Sequence, residues 1–221
     1  MQEQLAKESS SIHQTASTIF VVDDDAAVRR SLTRLLRSAG WDAEAFASAG
    51  DFLEMATITG PGCVLLDVNM PGMNGLELQD RMAAAGITLP VVFLTGKGDI
   101  PMSVRAMKHG AVDFLVKPVE EAVLFQALEQ AIRRQAAEAA DRRQRDSILA
   151  RLALLSDRER EVLERVIQGR LNKQIAYDLG IVEKTVKAHR GRIMEKMQAH
   201  TIAELVHLCD RAGIGSPRPA G

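Results

Sequence analysis

Short apolar runs that each end in polar residues constrain the fold of this chain more than any other feature. Three are continuous, at residues 19–22, 63–66 and 91–94, a fourth covers 112–116, and a weaker one at 42–46 fits between the first two. Between the runs, apolar residues recur at helical spacing, as with Val28, Leu32 and Leu36. Strands that alternate with helices favour right-handed crossovers. The pattern predicts an α/β fold, a doubly wound five-stranded parallel sheet buried on both faces.

The charge of the chain is unevenly distributed, although its net value is only −1 over 221 residues. Residues 19–118 carry 9 Lys and Arg against 12 Asp and Glu, whereas residues 151–221 carry 13 against 9. An acidic first part and a basic last part predict two domains that have different partners.

Several features place the chain in a compartment by what they exclude. The two cysteines, Cys63 in an apolar run and Cys209 in a late helical pattern, indicate reduced, buried thiols rather than a disulfide framework. The chain contains no stretch of 18 apolar residues, so no membrane span is predicted. Residues 1–17 are polar and lack the apolar core of a signal peptide. We therefore expect a cytoplasmic protein with a disordered leader at 1–17 and a disordered tail at 214–221.

The last third of the chain has a helical pattern throughout. No Gly or Pro occurs between Val119 and Ala150, which predicts a long helix that first packs on the sheet and then becomes a helical linker at 134–150. The polar second half of that helix fits a coiled-coil contact and a frayed end equally well. Beyond it, a helix that begins at Ser156, a short helix that ends at Gly180 and a third at about 183–197 form the outline of a helix-turn-helix.

Polar residues follow the predicted strands where each strand ends. They are Asp23, Asp24, Asp25, Asp67, Thr95 and Lys117. A single strand-end aspartate is usually just solvated, but the carboxyl ends of parallel strands form the ligand site of an open sheet. Crowded carboxylates suit Mg²⁺. Asp67 is then a candidate nucleophile, with Lys117 and the metal countering the charge of a transferring phosphoryl group.

Four motifs carry a resemblance to a known family: FVVDDD at 20–25, LDVNMPG at 66–72, FLTG at 93–96 and DFLVKP at 113–118. Together they resemble the receiver domain of two-component response regulators, which has a flavodoxin-like fold, here at residues 18–133. The resemblance implies that Asp67 is the phosphoacceptor and that Thr95 and Lys117 contact the phosphate. It also implies a cis bond to Pro118. The implied Mg²⁺ ligands are Asp24, Asp67 and the Asn69 backbone carbonyl, with Asp23 in the outer shell.

The same resemblance implies a conformational readout of phosphorylation. Thr95 and Phe114 occupy the switch positions, and Phe114 lacks the hydroxyl of the Tyr that many members carry, so burial of the ring is the switch that remains. The face formed by residues 101–130 is expected to change and to form a dimer. Ordinary helix-on-sheet packing is an equal alternative for each apolar residue that could serve this face, namely Ala106, Met107, Gly110, Ala111 and Val112.

Residues 170–197 hold 7 Lys and Arg against 3 Asp and Glu. A basic stripe (Lys184, Lys187, Arg190, Arg192 and Lys196) lies opposite an apolar one (Val186, Ile193 and Met197) on the third helix. Such a helix can rest on its own domain and lie in a major groove, although a merely solvated basic face explains the charge equally well.

Three further motifs, LSDREREVL at 155–163, NKQIA at 172–176 and TVKAH at 185–189, favour DNA binding. They resemble the LuxR-type DNA-binding domain of the NarL/FixJ response regulators, here at 151–213. Two departures are Gly191, where readout is by backbone approach or absent, and Val182, which removes the usual side-chain cap. The helix from Thr201 resembles the family's dimerisation helix, with Leu205 and Cys209 as interface or core residues. The implied base contacts are Lys187, Ala188 and Gly191, and the implied phosphate contacts are Lys173, Thr185, Arg190 and Arg192.

The function that these features predict is a phosphorylation-controlled transcriptional regulator that is not an enzyme. The expected partners are a sensor histidine kinase, double-stranded DNA and a second copy of the chain after phosphorylation, with RNA polymerase as a further candidate and no membrane. A haloacid-dehalogenase-type phosphatase also uses an aspartate nucleophile, but it needs a general acid two residues later, where this chain has Asn69. A DNA-binding protein with a relic receiver is opposed by the complete set of Asp24, Asp67, Thr95 and Lys117.

Overall fold

The computed structural model describes residues 17–58, 60–96, 106–107 and 109–215. The predicted disordered leader and tail lie largely outside the described residues. The sequence also predicts a short helix that includes Val104, Met107 and Lys108, and most of it lies outside the described residues as well. The chain divides into two compact units, residues 1–138 and 139–221. The elements that begin in the first unit are β1 (Thr18–Val22), α1 (Ala26–Ser38), β2 (Asp42–Phe46), α2 (Ala49–Met55), β3 (Gly62–Asp67), α3 (Gly75–Ala84), β4 (Val91–Thr95), β5 (Asp113–Val116) and α4 (Glu121–Ala153).

The first unit is built on a five-stranded parallel sheet in the order β2-β1-β3-β4-β5. The chain winds outward from β1 to one edge and then returns to build β3, β4 and β5 on the other side. The strand order therefore reverses between β1 and β3, and a ligand crevice is expected at the carboxyl ends of those two strands. The predicted doubly wound fold, including the weak strand at 42–46, is confirmed.

Both faces of the sheet are covered by apolar side chains, as an all-parallel sheet requires. Successive residues of β1 point to opposite faces. Ile19 and Val21 therefore pack with the helices α1 and α4, whereas Phe20 and Val22 pack with α2 and α3. This burial fixes the strands, so that the polar residues directly after them are held at one edge.

Over its described residues, 139–215, the second unit contains helices and no strands. Its elements after α4 are α5 (Asp157–Ile167), α6 (Asn172–Leu179), α7 (Glu183–Met197) and α8 (Ile202–Arg211). Ser156 caps α5 in a complete capping box with Glu159, and Gly180 ends α6 in the left-handed conformation, at φ 63°. The described helices contain no segment long and apolar enough to cross a membrane.

The sequence TIAE at residues 201–204 predicts a capping box at the start of α8, and the structure differs from it in one bond. The Thr201 side chain accepts the Glu204 backbone N–H at 3.1 Å, as predicted. The Glu204 carboxylate, however, accepts the backbone N–H of His200 at 2.8 Å. The helix start is thus stabilised by the Thr201 and Glu204 side chains, but Glu204 accepts the N–H of His200 in place of that of Thr201.

Candidate functional site

Three carboxylates meet at the point where the strand order reverses. Asp23 and Asp24 follow β1, and Asp67 is the last residue of β3. One carboxylate oxygen from each of the three lies within 4.8 Å of the others, so the set could hold a metal ion. Asp23 and Asp67 are buried, with 1% and 7% of their surface exposed, whereas Asp24 is exposed. The site is therefore open to solvent on the Asp24 side.

Lys117 supplies the positive charge of this cluster. Its Nζ lies 2.5 Å from Asp23 Oδ2 and 3.2 Å from Asp67 Oδ2. The residue directly follows β5, and its backbone N–H donates to the Thr95 carbonyl at 2.7 Å. The Lys117–Pro118 peptide bond is cis, as the resemblance implies. Two strands thus cooperate to place one cation between two buried carboxylates.

The electrostatics of the cluster are set by burial and by this cation. Burial raises the pKa of Asp67, and the neighbouring Asp23 charge adds to this, while Lys117 acts in the opposite direction. Burial alone would lower the pKa of Lys117, but its bonds to Asp23 and Asp67 outweigh that effect and raise it. Lys117 is therefore held in its charged form.

Two further residues support the cluster, and sequence reasoning missed both. Arg29 on α1 donates from Nη1 to the carbonyls of Asp23, at 2.6 Å, and Asp24, at 2.8 Å. Gly75 begins α3 directly beneath Asp67, where a Cβ atom would lie 2.4 Å from the Asp67 carbonyl. A glycine after an aspartate motif was a usable signal for close approach, whereas nothing in the sequence predicted the Arg29 contacts.

The predicted switch residues lie close to the cluster. Thr95 is fully buried at the end of β4. The Phe114 ring is half-buried and packs against Phe93, with ring centroids 6.1 Å apart. The Asn69 backbone N–H donates to Asp67 Oδ1 at 3.3 Å. Thr95 is thus joined to Lys117 through its carbonyl and Asn69 to Asp67, whereas Phe114 contacts Phe93 of the neighbouring strand. The roles of all three residues stay predictions.

The expected dimer face is only partly available. Ala106, Ala111 and Val112 are buried in the two cores of the first unit, so packing explains these three residues. Met107 and Gly110 are exposed. Of the five apolar residues named for the dimer face, only these two are therefore available to a partner.

The predicted DNA-contacting residues lie mainly on the exposed side of α7. Val186, Ile193 and Met197 are buried in the core of the second unit. Thr185 and Arg190 are half-buried, and the Arg190 Nη1 donates to Asn172 Oδ1 at 3.0 Å. Exposed residues of the predicted surface are Lys173, Lys184, Lys187, Ala188, Gly191 and Arg192.

Lys196 does not belong to this exposed surface, contrary to the predicted basic stripe. Its Nζ lies 2.6 Å from the carboxylate of Glu159 and 3.1 Å from the Leu154 carbonyl. Glu159 is 3% exposed, and the hydrogen bond from Lys196 lowers its pKa. Lys196 is three residues from buried Ile193 and therefore shares a face with it, which is the signal that sequence analysis overlooked.

The two departures noted on α7 have clear structural counterparts. Val182 is the N-cap residue and makes no side-chain cap bond, as predicted. A Cβ at Gly191 would meet no atom within 4 Å, so the fold of this unit does not require glycine there. On α8, Leu205 and Cys209 are buried in the core, and burial raises the pKa of the Cys209 thiol to about 11.

Comparison with protein families gives two matches. Residues 19–129 match the model of the response regulator receiver domain. Residues 153–209 match that of the bacterial regulatory proteins of the luxR family.

Characterised relatives match across most of the chain. It is 46% identical to the transcriptional regulatory protein FixJ of Bradyrhizobium diazoefficiens over 200 residues, or 90% of this chain and 98% of that protein. Nodulation protein W of the same organism is 42% identical over 207 residues, or 92% and 91% of the two chains.

Solved structures agree with these matches. The response regulator StyR is 47% identical, with a TM-score of 0.78 over 89% of this chain and 99% of that one. Full-length FixJ from B. japonicum is 45% identical, with a TM-score of 0.55 over 90% of this chain and 98% of that one.

Proposed function

The chain belongs to the NarL/FixJ-type response regulators, and from that premise we propose how it works. In our proposal, Asp67 accepts phosphate from a sensor histidine kinase, and this phosphorylation controls DNA binding through α7. A receiver domain joined to a LuxR-type helix-turn-helix domain is a phosphorylation-controlled transcription regulator. The fold predicted from the sequence, a receiver sheet followed by a helical domain, is confirmed. The family is regulatory, so the prediction that the chain is not an enzyme is also confirmed.

The observation that carries the proposal for Asp67 is the position of Lys117. Its ammonium group contacts both Asp23 and Asp67, and only Asp67 ends a strand at the crevice. In the proposed step, an Asp67 carboxylate oxygen forms a bond to phosphorus while the bond between phosphorus and a histidine nitrogen of the kinase breaks. The imidazole leaves with the electron pair. Lys117 stabilises the negative charge that the phosphoryl oxygens bring.

The acidic cluster supports a Mg²⁺ site, because hard carboxylate oxygens are the ligands that this ion prefers. Asp24 and Asp67 are the proposed direct ligands together with the Asn69 carbonyl, and Asp23 acts in the outer shell. When bound, the ion supplies positive charge at the phosphoryl oxygens. Exposure of Asp24 leaves a path by which the ion and the phosphodonor can reach the site.

Phosphorylation adds about −1.5 to −2 charges next to Asp23 and Asp24. In our proposal, the Thr95 hydroxyl turns toward the new phosphate and the Phe114 ring moves inward. The Thr95 carbonyl accepts the backbone N–H of Lys117, so a movement of Lys117 toward the phosphate can also move Thr95. The Phe114 ring is only half-buried, so it can become more buried. The altered surface then forms a homodimer that releases or pairs the DNA-binding domains on a two-fold site.

DNA recognition is proposed for the exposed side of α7. By their resemblance to the family, Lys187, Ala188 and Gly191 are the proposed contacts to base edges. The proposed phosphate contacts are Lys173, Thr185, Arg190 and Arg192, of which Arg190 is already oriented by its bond to Asn172. RNA polymerase is a further proposed partner, and the cytoplasm is the proposed location because a transcription regulator must reach DNA.

Phosphorylation with and without Asp67 tests the function most directly. The full chain is incubated with acetyl phosphate and Mg²⁺, and phosphoryl incorporation is followed by intact mass. We expect Asp67→Asn to lose incorporation and the phosphodonor-dependent change in DNA affinity, measured at one fixed salt concentration. Asp25→Asn is the matched control, because Asn caps α1 as well as Asp does.

The outcomes of this experiment also separate the alternatives. Incorporation into Asp67→Asn at the unaltered rate would disprove the assignment of the acceptor. Equal DNA affinity of the wild-type chain with and without phosphodonor would favour a relic receiver. Turnover of phosphate esters would favour a phosphatase, although Asn69 offers the site no general acid.

A further inference from the structure

A groove rich in arginine lies on the first unit between α1 and β2, next to the carboxylate cluster, which it adjoins through Arg29. Its volume is about 500 Å³, within the range of small-molecule sites. Its floor includes Ala26 and Ala45, whose small side chains leave room for a ligand. The remaining lining consists of Thr33 and four arginines, Arg29, Arg30, Arg34 and Arg37.

Helical spacing brings the four arginines together. From Ala26 to Arg37 the positions recur every three or four residues, so they share one face over three turns of α1. At 1.5 Å per residue, this face is about 16 Å long. No carboxylate lines the groove among the described residues. Glu44 of the neighbouring strand lies on the opposite face of the sheet from Ala45, because successive side chains alternate.

Ion pairs among the described residues do not balance the charge of the groove. None of the four arginines forms an ion pair with another described residue. Arg29 and Arg37 donate only to backbone carbonyls, Arg37 to that of Ala43 at 2.8 Å. Those bonds orient two guanidinium groups without neutralising them. Arg30 and Arg34 are exposed and four residues apart, where like charges repel.

Thr33 provides an independent sign of a missing partner. Its Oγ1 atom is buried in the wall of the groove and has no hydrogen-bond partner among the described residues. A buried hydroxyl is ordinarily satisfied, since leaving it unpaired is unfavourable. Thr33 lines the groove, so rotation of its side chain about the Cα–Cβ bond can expose this hydroxyl to a ligand oxygen that accepts its hydrogen.

We propose that this groove binds a small anion carrying two or more phosphate groups. Planar guanidinium groups match phosphate oxygens with paired N–H donors. Several of them along one helix face fit a chain of phosphates better than a single ion. The site holds a chemistry opposite to that of the carboxylate cluster, and it is separate from the basic surface of α7.

Calorimetric titration of the full chain with inorganic tripolyphosphate, in the absence of Mg²⁺, tests the proposal. We expect binding with a dissociation constant below 1 mM, on the order of the weaker small-ligand sites. Arg30→Gln combined with Arg34→Gln should weaken it at least about tenfold. These two side chains are exposed, and neither touches the carboxylate cluster. Adenosine triphosphate forms a second arm: tighter binding than tripolyphosphate identifies a nucleotide as the source of the phosphates, and equal binding identifies the phosphate chain alone.

Two further variants make the result decisive. Lys187→Gln combined with Arg192→Gln removes the same charge from α7 and should leave binding unchanged. Thr33→Val should weaken binding severalfold without lowering the thermal midpoint of the free protein, because the hydroxyl has no partner to lose. Absence of binding, or an equal loss in the α7 variant, would overturn the proposal. So would tighter binding of a glutamate decamer at the same arginines, which would make the groove a docking surface for an acidic protein segment.

Discussion

The two units use charge in opposite ways. In the first, Asp23, Asp67 and Lys117 come from three different strand ends and are largely buried. In the second, Lys187 and Arg192 stand on one helix and are exposed to solvent. The first arrangement is a site made by topology, and the second is a surface made by helical periodicity.

This difference determines how each region responds to change. Buried charges interact strongly and depend on one another, so that loss of one member leaves the others uncompensated. Exposed charges are screened and contribute little to folding, which leaves them free to serve a partner. We therefore expect substitutions at the strand ends to have larger effects, and substitutions on the exposed side of α7 to alter DNA binding alone.

Lys117→Met should have the largest effect. It removes the cation between Asp23 and Asp67, and we expect the rate of phosphoryl incorporation from acetyl phosphate to fall about 100-fold, as for other lost electrostatic contacts in a reaction site. DNA affinity without phosphodonor should not change. Exposed Lys184→Met is the control, and a rate within twofold of the wild type in Lys117→Met would contradict the proposed role.

Lys196→Met tests a charge of α7 that is not free in solvent, because Lys196 pairs with the buried carboxylate of Glu159. It leaves the buried Glu159 carboxylate without a cation, although the Ser156 backbone N–H still donates to it. We expect the second unit to lose about 2 kcal/mol of stability, reduced from the cost of a fully buried pair because Lys196 is about one-third exposed. Urea unfolding followed by helical circular dichroism measures this loss. Trp41, the sole tryptophan, is buried in the first unit, so its fluorescence should show no shift.

Lys187→Met is the matched control for that loss and should change stability by less than about 0.5 kcal/mol. If the two lysine variants unfold alike, the pair between Lys196 and Glu159 does not stabilise the unit.

How far the sequence predicts each region follows from the same contrast. Strand-end residues were found because buried apolar runs are continuous, and the exposed side of α7 was found because its period is 3.6. Contacts between distant segments left no such pattern. Lys196 reaches Glu159, 37 residues away, only because packing brings the two helices together. The predicted basic stripe included Lys196 because of its charge, although its three-residue spacing from buried Ile193 places it on the apolar face.

Lys187→Ala should weaken DNA binding about tenfold, within the 1–3 kcal/mol range of a base contact. Phosphoryl incorporation at Asp67 should be unaffected, since Lys187 has no part in the proposed phosphorylation site. Fluorescence anisotropy with a labelled duplex at one salt concentration measures the change. A loss that is identical for every DNA sequence would show that Lys187 contacts phosphates rather than bases.

Acid should weaken the second unit through Glu159. Its pKa in the folded chain is lowered, so its stabilising contribution is complete at neutral pH and is lost as pH falls through that lowered value. Urea unfolding at several pH values measures this loss. In Glu159→Gln, the free energy of unfolding that is lost on acidification should be smaller by about 1 kcal/mol at most, because one member of the pair is partly exposed. An unchanged pH dependence in Glu159→Gln would assign the acid sensitivity to other groups.

Gly191→Ala removes no charge and separates two explanations of that glycine. A glycine inside a helix costs about 1 kcal/mol relative to alanine, and a Cβ at this position meets nothing within 4 Å. We expect Gly191→Ala to raise the urea midpoint of the second unit. If the backbone at Gly191 approaches the bases closely, the same change should weaken DNA binding. Ala188→Gly, one turn earlier on the same exposed side, is the reverse control. A gain in stability without any loss of affinity would show that Gly191 takes no part in recognition.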